Sequence, residues 1–222
     1  MTMRRGIFIV EDHEIFRMGL KELIDREEDL VVCGEADNAS DALRLIREAR
    51  PAMAVIDISL KDSNGIMLIK DVNKCMKGLP MLVLSLFDEA IYAERALAAG
   101  ARGYIMKHET SDSIVRAIRQ ILDGGTYVSA AIMDSLVQRL ADRTAASASG
   151  PIETLTDREL EIFTLIGKGL PTGAIARKLA LNVKTVGTYR ERIKEKLNIK
   201  TAADLAKRAA LWVSDTSGDR RA

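Results

Sequence analysis

Five polar residues stand at the ends of four short apolar runs. Glu11 and Asp12 follow "IFIV" (7–10), Asp57 lies in "MAVIDI" (53–58), Ser85 is near the end of "PMLVLSL" (80–86), and Lys107 closes "GYIMK" (103–107). Brought to one rim, they would set three carboxylates beside a hydroxyl and an ammonium. Grouped carboxylates repel and raise one another's pKa unless a cation stands among them. Their oxygens suit a hard divalent ion such as Mg²⁺, which also takes water and a phosphate oxygen. No thiolate or imidazole is spaced for a softer metal. A carboxylate beside Mg²⁺ can attack a phosphoryl group and become an acyl phosphate. The metal would offset charge on the transferring oxygens. Lys107 could touch one of those oxygens and Ser85 donate to another. Such chemistry depends on positioning more than on acid–base help.

Each residue alone has a plainer reading. Lys107 would be a solvated strand-end lysine, Ser85 a structural hydroxyl, and Glu11 and Asp12 first-turn acids of the following helix. His13 reads as a packing or solvated residue. The grouping is the signal, and it requires a fold that makes these strand ends meet.

The first half supplies one. "IFIV", "LVVCGEA" (30–36), "MAVIDI", "PMLVLSL" and "GYIMK" read as strands. They alternate with helical patterns at 14–25, 40–49, 66–76, 89–100 and 111–122. Five β-α units with runs apolar on both faces imply a parallel sheet covered on both sides. Right-handed crossovers then favour an α/β doubly wound five-stranded sheet, flavodoxin-like, in the order 2-1-3-4-5. Ligands sit there at the carboxyl ends of the strands, where the order reverses, between strands one and three.

Composition points the same way. At 222 residues, with 47% hydrophobic and 29% charged, two globular domains are expected. The net charge of +1 hides an asymmetry: of 33 Lys+Arg and 32 Asp+Glu, residues 141–222 hold 15 and 10, leaving 18 and 22 for residues 1–140. The apolar run near the N-terminus is too short for a signal peptide, and no stretch is long enough to cross a bilayer. Cys33 and Cys75 lie in or beside apolar segments and read as buried thiols, which with His13 and His108 isolated leaves no zinc site. A reducing cytoplasm fits.

Residues 5–123 resemble a response-regulator receiver domain. The acid pair at 11–12, acceptor Asp57, hydroxyl Ser85, aromatic Tyr104 and Lys107 follow that family's order. The resemblance implies Mg²⁺ at Glu11, Asp12, Asp57 and the backbone carbonyl of Ser59. It also implies a partner histidine kinase as phosphoryl donor. Ser85 and Tyr104 would act as switch residues whose movement shifts a two-state equilibrium. Lys61 stands where the family often has a proline, so the acceptor loop should be looser.

The remaining chain changes character. Gly124-Gly125 ends the fifth helix. "AAIMDSLVQRLADR" (130–143) reads as an amphipathic helix, with Ile132, Leu136, Val137 and Leu140 on one face, and "TAASASGP" (144–151) as a flexible linker. Thr156 and Glu159 form a capping box. Leu160, Phe163, Leu165 and Ile166 follow, and Gly167 and Gly169 close that helix. Short helices at 172–181, 182–199 (starting near Val183) and 201–212 complete a small bundle. The third carries six basic residues (184, 190, 192, 194, 196, 200) against Glu191 and Glu195. Lysines and arginines around an apolar stripe often only solvate a helix. Here short Thr185, Gly187 and Thr188 would let its start approach base edges.

Residues 152–214 resemble the LuxR-type helix-turn-helix of the NarL/FixJ class. The resemblance implies that Lys184, Thr185, Gly187, Thr188 and Arg190 or Glu191 face the major groove. Lys178, Arg192 and Lys196 would contact phosphates. "PTGA" (171–174) departs from the family pattern: Thr172 would serve as cap, and Gly173 lowers helix propensity by roughly 1 kcal/mol relative to Ala. The expected organisation is a receiver (1–125), a linker with a helix (126–151) and a small all-α DNA-binding domain (152–222). Together they imply a non-enzymatic transcription regulator, phosphorylated at Asp57 and pairing as a homodimer on double-stranded DNA. Two other readings exist. A helical tail that docks on protein would need no base contacts. A flavin carrier would want hydroxyl- and glycine-rich phosphate loops, whereas this rim is acidic.

Overall fold

The computed structural model describes residues 4–60, 64–86, 89–134, 137 and 151–216. The chain divides into two compact units, the first ending at Gln138 and the second beginning at Arg139.

In the first unit the elements are β1 (Arg5–Val10), α1 (Glu14–Asp25), β2 (Leu30–Ala36), α2 (Ala39–Ala49) and β3 (Met53–Ile56). They continue as α3 (Gly65–Cys75), β4 (Met81–Ser85), α4 (Glu89–Ala99), β5 (Gly103–Met106) and α5 (Ser111–Leu122). The five strands are parallel in the order β2-β1-β3-β4-β5, as the alternation predicts. β3 and β4 are buried throughout because both faces of a central parallel strand are covered. On one face Ile7, Ile9, Val55, Leu82, Leu84 and Ile105 pack against Leu20 and Ile24 of α1 and Ile114, Ile118 and Ile121 of α5. On the rest of the sheet's cover, α2 touches α3 and α3 touches α4.

The chain runs outward from β1 to β2, then returns past β1 to β3. The two crossovers leave in opposite directions, so a crevice opens at the carboxyl ends of β1 and β3. Register brings the acids to it. Val10 lies opposite Ile56, and the Asp57 N–H donates to the Val10 carbonyl at 2.9 Å, so Glu11 and Asp57 emerge side by side. Ser85 lies opposite Met106, and the Lys107 N–H donates to the Ser85 carbonyl at 2.8 Å.

Three details differ from the sequence reading or lie beyond it. Cys33 and Cys75 are free and exposed rather than buried. β2 is an edge strand, fully buried only at its two ends, and Cys75 is the last residue of α3. Tyr127, assigned to the linker, extends the sheet edge: its N–H donates to the Arg102 carbonyl at 3.0 Å and its carbonyl accepts from the Tyr104 N–H at 2.8 Å. The backbone is helical at 130–134 and at 137. Leu136, Leu140 and the other residues of that expected helix, the linker at 144–150 and Lys61 lie outside the described residues.

The second unit opens with a 3-10 turn (Pro151–Thr154), followed by α6 (Asp157–Gly167), α7 (Thr172–Lys178), α8 (Val183–Lys196) and α9 (Ala202–Thr216). The capping box forms as read: Glu159 Oε2 accepts from the Thr156 N–H at 2.8 Å, and Thr156 Oγ1 accepts from the Glu159 N–H at 3.4 Å. Gly169 takes φ +79°, which lets the chain turn sharply after α6. Thr172 does not cap. Pro171 holds the N-cap position of α7, and no side chain caps the helix, because Thr172 already lies within its first turn. Asn182 caps α8 by accepting from the Lys184 N–H at 2.9 Å. Leu160, Phe163, Ile175, Val186, Ile193 and Leu205 form the interior, with the Phe163 and Trp212 rings 5.5 Å apart.

Candidate functional site

At the β1/β3 crevice Lys107 stands between two carboxylates. Its Nζ lies 2.5 Å from Glu11 Oε2 and 2.8 Å from Asp57 Oδ2, and the three side chains are only 2–3% exposed. The Phe16 ring, at the first turn of α1, lies 4.6 Å from the same ammonium. Water is largely excluded, so these charges act on one another strongly. Burial pushes the Asp57 carboxyl above the usual carboxylate range, the Lys107 charge pulls it back, and Glu11 adds to the rise. Burial disfavours the Lys107 charge too, but Asp57 and Glu11 outweigh it and hold the ammonium above its ordinary value.

The acids form a donor set. Ligand atoms of Glu11, Asp12, His13 and Asp57 lie within 4.8 Å of one another. Asp57 Oδ1 is buried with no hydrogen-bond partner among the described residues. A buried anionic oxygen in that state is a place for a cation or a hydrogen-bond donor. The residues present therefore fit a hard, oxygen-seeking ion such as Mg²⁺, and such an ion would reverse the upward push on Asp57.

The loop that carries Asp57 is tightly built. Ser59 bridges to Asn64, and the Ser59 backbone N–H faces the Asp57 carboxylate. Buried Asn64 caps α3, its Oδ1 accepting from the Ile66 N–H at 2.9 Å. A Cβ on Gly65 would fall 2.0 Å from the Asp57 carbonyl oxygen and 2.8 Å from Ile58 Cα, so the chain at Asp57–Ile58 and the start of α3 pack with no room for a side chain.

Ser85, at the end of β4, and Tyr104, inside β5, are both buried. His13, read as merely packing or solvated, joins the acids: its Nδ1 is 2.9 Å from Asp12 Oδ1, and its N–H donates to Glu11 Oε1 at 3.0 Å. Arg17 donates to the Glu11 carbonyl at 2.7 Å. Both follow the acid pair within five residues, and that adjacency was the available signal.

In the second unit, α8 buries Val186 and Ile193. Lys184, Thr185, Thr188, Glu191, Arg192 and Glu195 are exposed, as is Lys178 at the end of α7, while Gly187 is half-buried. The basic residues divide. Arg190 is half-buried, on the same side as Val186 and Ile193, so of the pair 190 and 191 the exposed one is Glu191. Lys194 pairs with Glu191 at 2.7 Å. Lys196 turns inward, 2.6 Å from Glu159 Oε2, and donates to the Thr154 carbonyl at 3.3 Å. Burial works against the Glu159 carboxylate, but bonds from Lys196 and Thr156 hold its pKa below the ordinary value.

Residues 7–119 match the response regulator receiver domain, and residues 153–209 the luxR family of bacterial regulatory proteins. Oxygen regulatory protein NreC of Staphylococcus epidermidis is 32% identical over 208 residues, spanning 91% of this chain and 95% of that protein. Response regulator GacA of Pseudomonas aeruginosa is 32% identical over 200 residues, spanning 90% and 92%. The crystal structure of a LuxR-family two-component response regulator from Aurantimonas sp. aligns with a TM-score of 0.58 at 30% identity, covering 62% of this chain and 99% of that one. Among the described residues no helix is long and apolar enough to cross a membrane. With a receiver sheet that gathers its acids at one crevice and a helix-turn-helix unit following it in sequence, the chain belongs to the two-component response regulators, as a transcriptional regulator that joins a receiver to a LuxR-type DNA-binding domain.

Proposed function

We propose that Asp57 is the phospho-acceptor and that its modification by a partner histidine kinase controls DNA binding by the second unit. An Asp57 carboxylate oxygen forms a bond to phosphorus as the phosphorus–nitrogen bond of a donor phosphohistidine breaks. The imidazole keeps the electron pair and takes up a proton. Mg²⁺, held by Glu11, Asp12, Asp57 and the Ser59 carbonyl, would offset charge on the phosphoryl oxygens. Lys107, kept cationic by the two carboxylates beside it, passes from Asp57 to a phosphoryl oxygen. Ser85 donates to another, and Tyr104 follows it as part of a two-state switch.

Two phosphorylated copies then pair, and their second units bind adjacent half-sites with the gain of a linked pair. Lys184, Thr185, Gly187 and Thr188 approach base edges, and Lys178 and Arg192 contact phosphates. Lys196, engaged with Glu159, supports the helix rather than the DNA backbone. The setting is cytoplasmic.

The observation that carries this reading is the buried Asp57 carboxylate, one oxygen tied to Lys107 and the other without a hydrogen bond among the described residues. With acetyl phosphate and Mg²⁺, intact-mass measurement should show one phosphoryl group on the wild type and none on Asp57→Ala. Equal incorporation in both would remove Asp57 from the mechanism. Binding to promoter-sized duplex should rise with phosphorylation and weaken steeply with salt. Salt-independent binding would favour docking on protein instead.

A further inference from the structure

We propose that Glu191 is a specificity-determining residue, accepting a hydrogen bond from the N4 amino group of a cytosine in the major groove while Lys184 donates to a guanine about three base pairs away. The proposal deepens the DNA-binding reading above and rests on it.

α8 has a buried and an exposed face. Val186 and Ile193 are buried, and Lys184, Thr188, Glu191 and Glu195 recur at intervals of four, three and four residues on the opposite, exposed side. This stripe can come close to another surface. A Cβ on Gly187 would meet nothing within 4 Å, and Thr188 Oγ1 folds back to donate to the Lys184 carbonyl at 3.1 Å.

The stripe is not basic, although the helix is. Of the six Lys and Arg between 183 and 200, Lys196 is bound to Glu159, Lys194 to Glu191, and Arg190 is half-buried. Glu191 therefore stands, 66% exposed, on a surface that must approach a polyanion. A carboxylate there is repelled unless a base donates to it. In the major groove only cytosine N4 and adenine N6 donate. Adenine offers its donor beside the N7 acceptor, to which a carboxylate has nothing to give, so cytosine is the better match.

The ion pair with Lys194, itself only 18% exposed, holds the Glu191 carboxylate on the stripe. It does not exhaust it, because a carboxylate accepts through two oxygens. Seven residues separate Lys184 from Glu191, or about 10.5 Å of helix, which matches about three base-pair steps of 3.4 Å. Lysine pairs with guanine O6 and N7.

The test is selection of duplexes from a random pool by the full-length protein treated with acetyl phosphate and Mg²⁺. Wild type, Glu191→Ala and Glu191→Gln are compared, with unfolding followed by Trp212 fluorescence to check that the exposed substitutions leave the fold intact. The wild type should retain sites with one position held as cytosine. Glu191→Ala should lose that preference, at least about fivefold in discrimination, at that position alone. Glu191→Gln should turn it toward adenine. A uniform gain in affinity with unchanged sequence choice in Glu191→Ala would overturn the proposal, because the charge would then only repel the backbone. Duplexes retained by the wild type without any base preference would overturn it too, leaving DNA binding in place. No duplex retained by any of the three proteins would overturn the DNA-binding reading and this inference with it.

Discussion

The two units handle charge in opposite ways. At the sheet rim Glu11, Asp57 and Lys107 are buried together, with one ammonium held between two carboxylates. On α8 the charges that face outward are exposed and screened by salt within about 10 Å. Those that turn inward serve the scaffold: Lys196 ties α8 to the start of α6, and Arg158 joins Glu161 at 2.8 Å to the Leu179 carbonyl at 3.1 Å. A phosphoryl site needs a few atoms placed to a fraction of an ångström, and parallel strand register supplies that. A DNA-reading surface needs one helix oriented as a body, and internal ion pairs and caps supply that. Position is the functional variable in the first unit, and the partition of like residues between inside and outside is the variable in the second.

The comparison breaks first at Gly65 if it breaks at all. A methyl group there would press on the Asp57 carbonyl and on Ile58. Gly65→Ala should destabilise the first unit by about 3 kcal/mol, at the upper end of what overpacking costs. It should also cut acetyl-phosphate incorporation more than tenfold under conditions where the unit remains folded. Denaturant midpoints and intact mass give the two numbers. A stable Gly65→Ala protein that is phosphorylated at the wild-type rate would mean that the acceptor is not held by close packing.

Lys196 tests the other side. Its ammonium bonds a Glu159 carboxylate that is 4% exposed, while Lys196 itself is about a third exposed. Lys196→Met leaves the carboxylate with the Thr156 N–H and should cost about 1–2 kcal/mol once screening at the open end is allowed for. Trp212, the chain's single tryptophan, packs on Phe163 and reports that unfolding. The salt dependence of DNA binding should not change. A phosphate contact would instead lower the slope of log K against log salt by about 1, and that result would return Lys196 to the surface class.

These variants also show where the sequence was legible. The strands, their order and the meeting of Glu11, Asp12, Asp57 and Lys107 followed from apolar runs of strand length alternating with helical periods, because a covered parallel sheet leaves few alternatives. The Thr156–Glu159 box was legible because capping is local. The inward turn of Lys196 was not, since its partner lies 37 positions away and only the packed bundle brings them together. The exposure of Cys33 was missed differently: the order already placed the second strand at an edge, but an apolar run does not say which of its side chains that edge leaves uncovered. Thr172 failed as a cap because the helix begins one residue earlier than its side chain could serve.

The smallest expected effect belongs to a charge cluster at the opposite end of the sheet. Arg119 of α5 lies 2.6 Å from both Asp29 Oδ1 and Glu27 Oε2, in a setting open to water. The hydrogen bond from Arg119 lowers the Asp29 carboxyl to about 2, against partial burial that works the other way. A depressed acid stabilises the fold above its unfolded pKa, near 4, and that contribution is lost as pH falls through about 2. With both groups a third or more exposed, it should amount to under about 1 kcal/mol. Wild type and Arg119→Met should therefore differ by a small, constant stability above about pH 4. They should converge toward pH 2, and the gap should shrink in 0.5 M salt, roughly a level that shortens the Debye length to a few ångströms. A gap as large as that of Lys196→Met, or one insensitive to salt, would show that exposure is not what separates strong from weak charge coupling in this molecule.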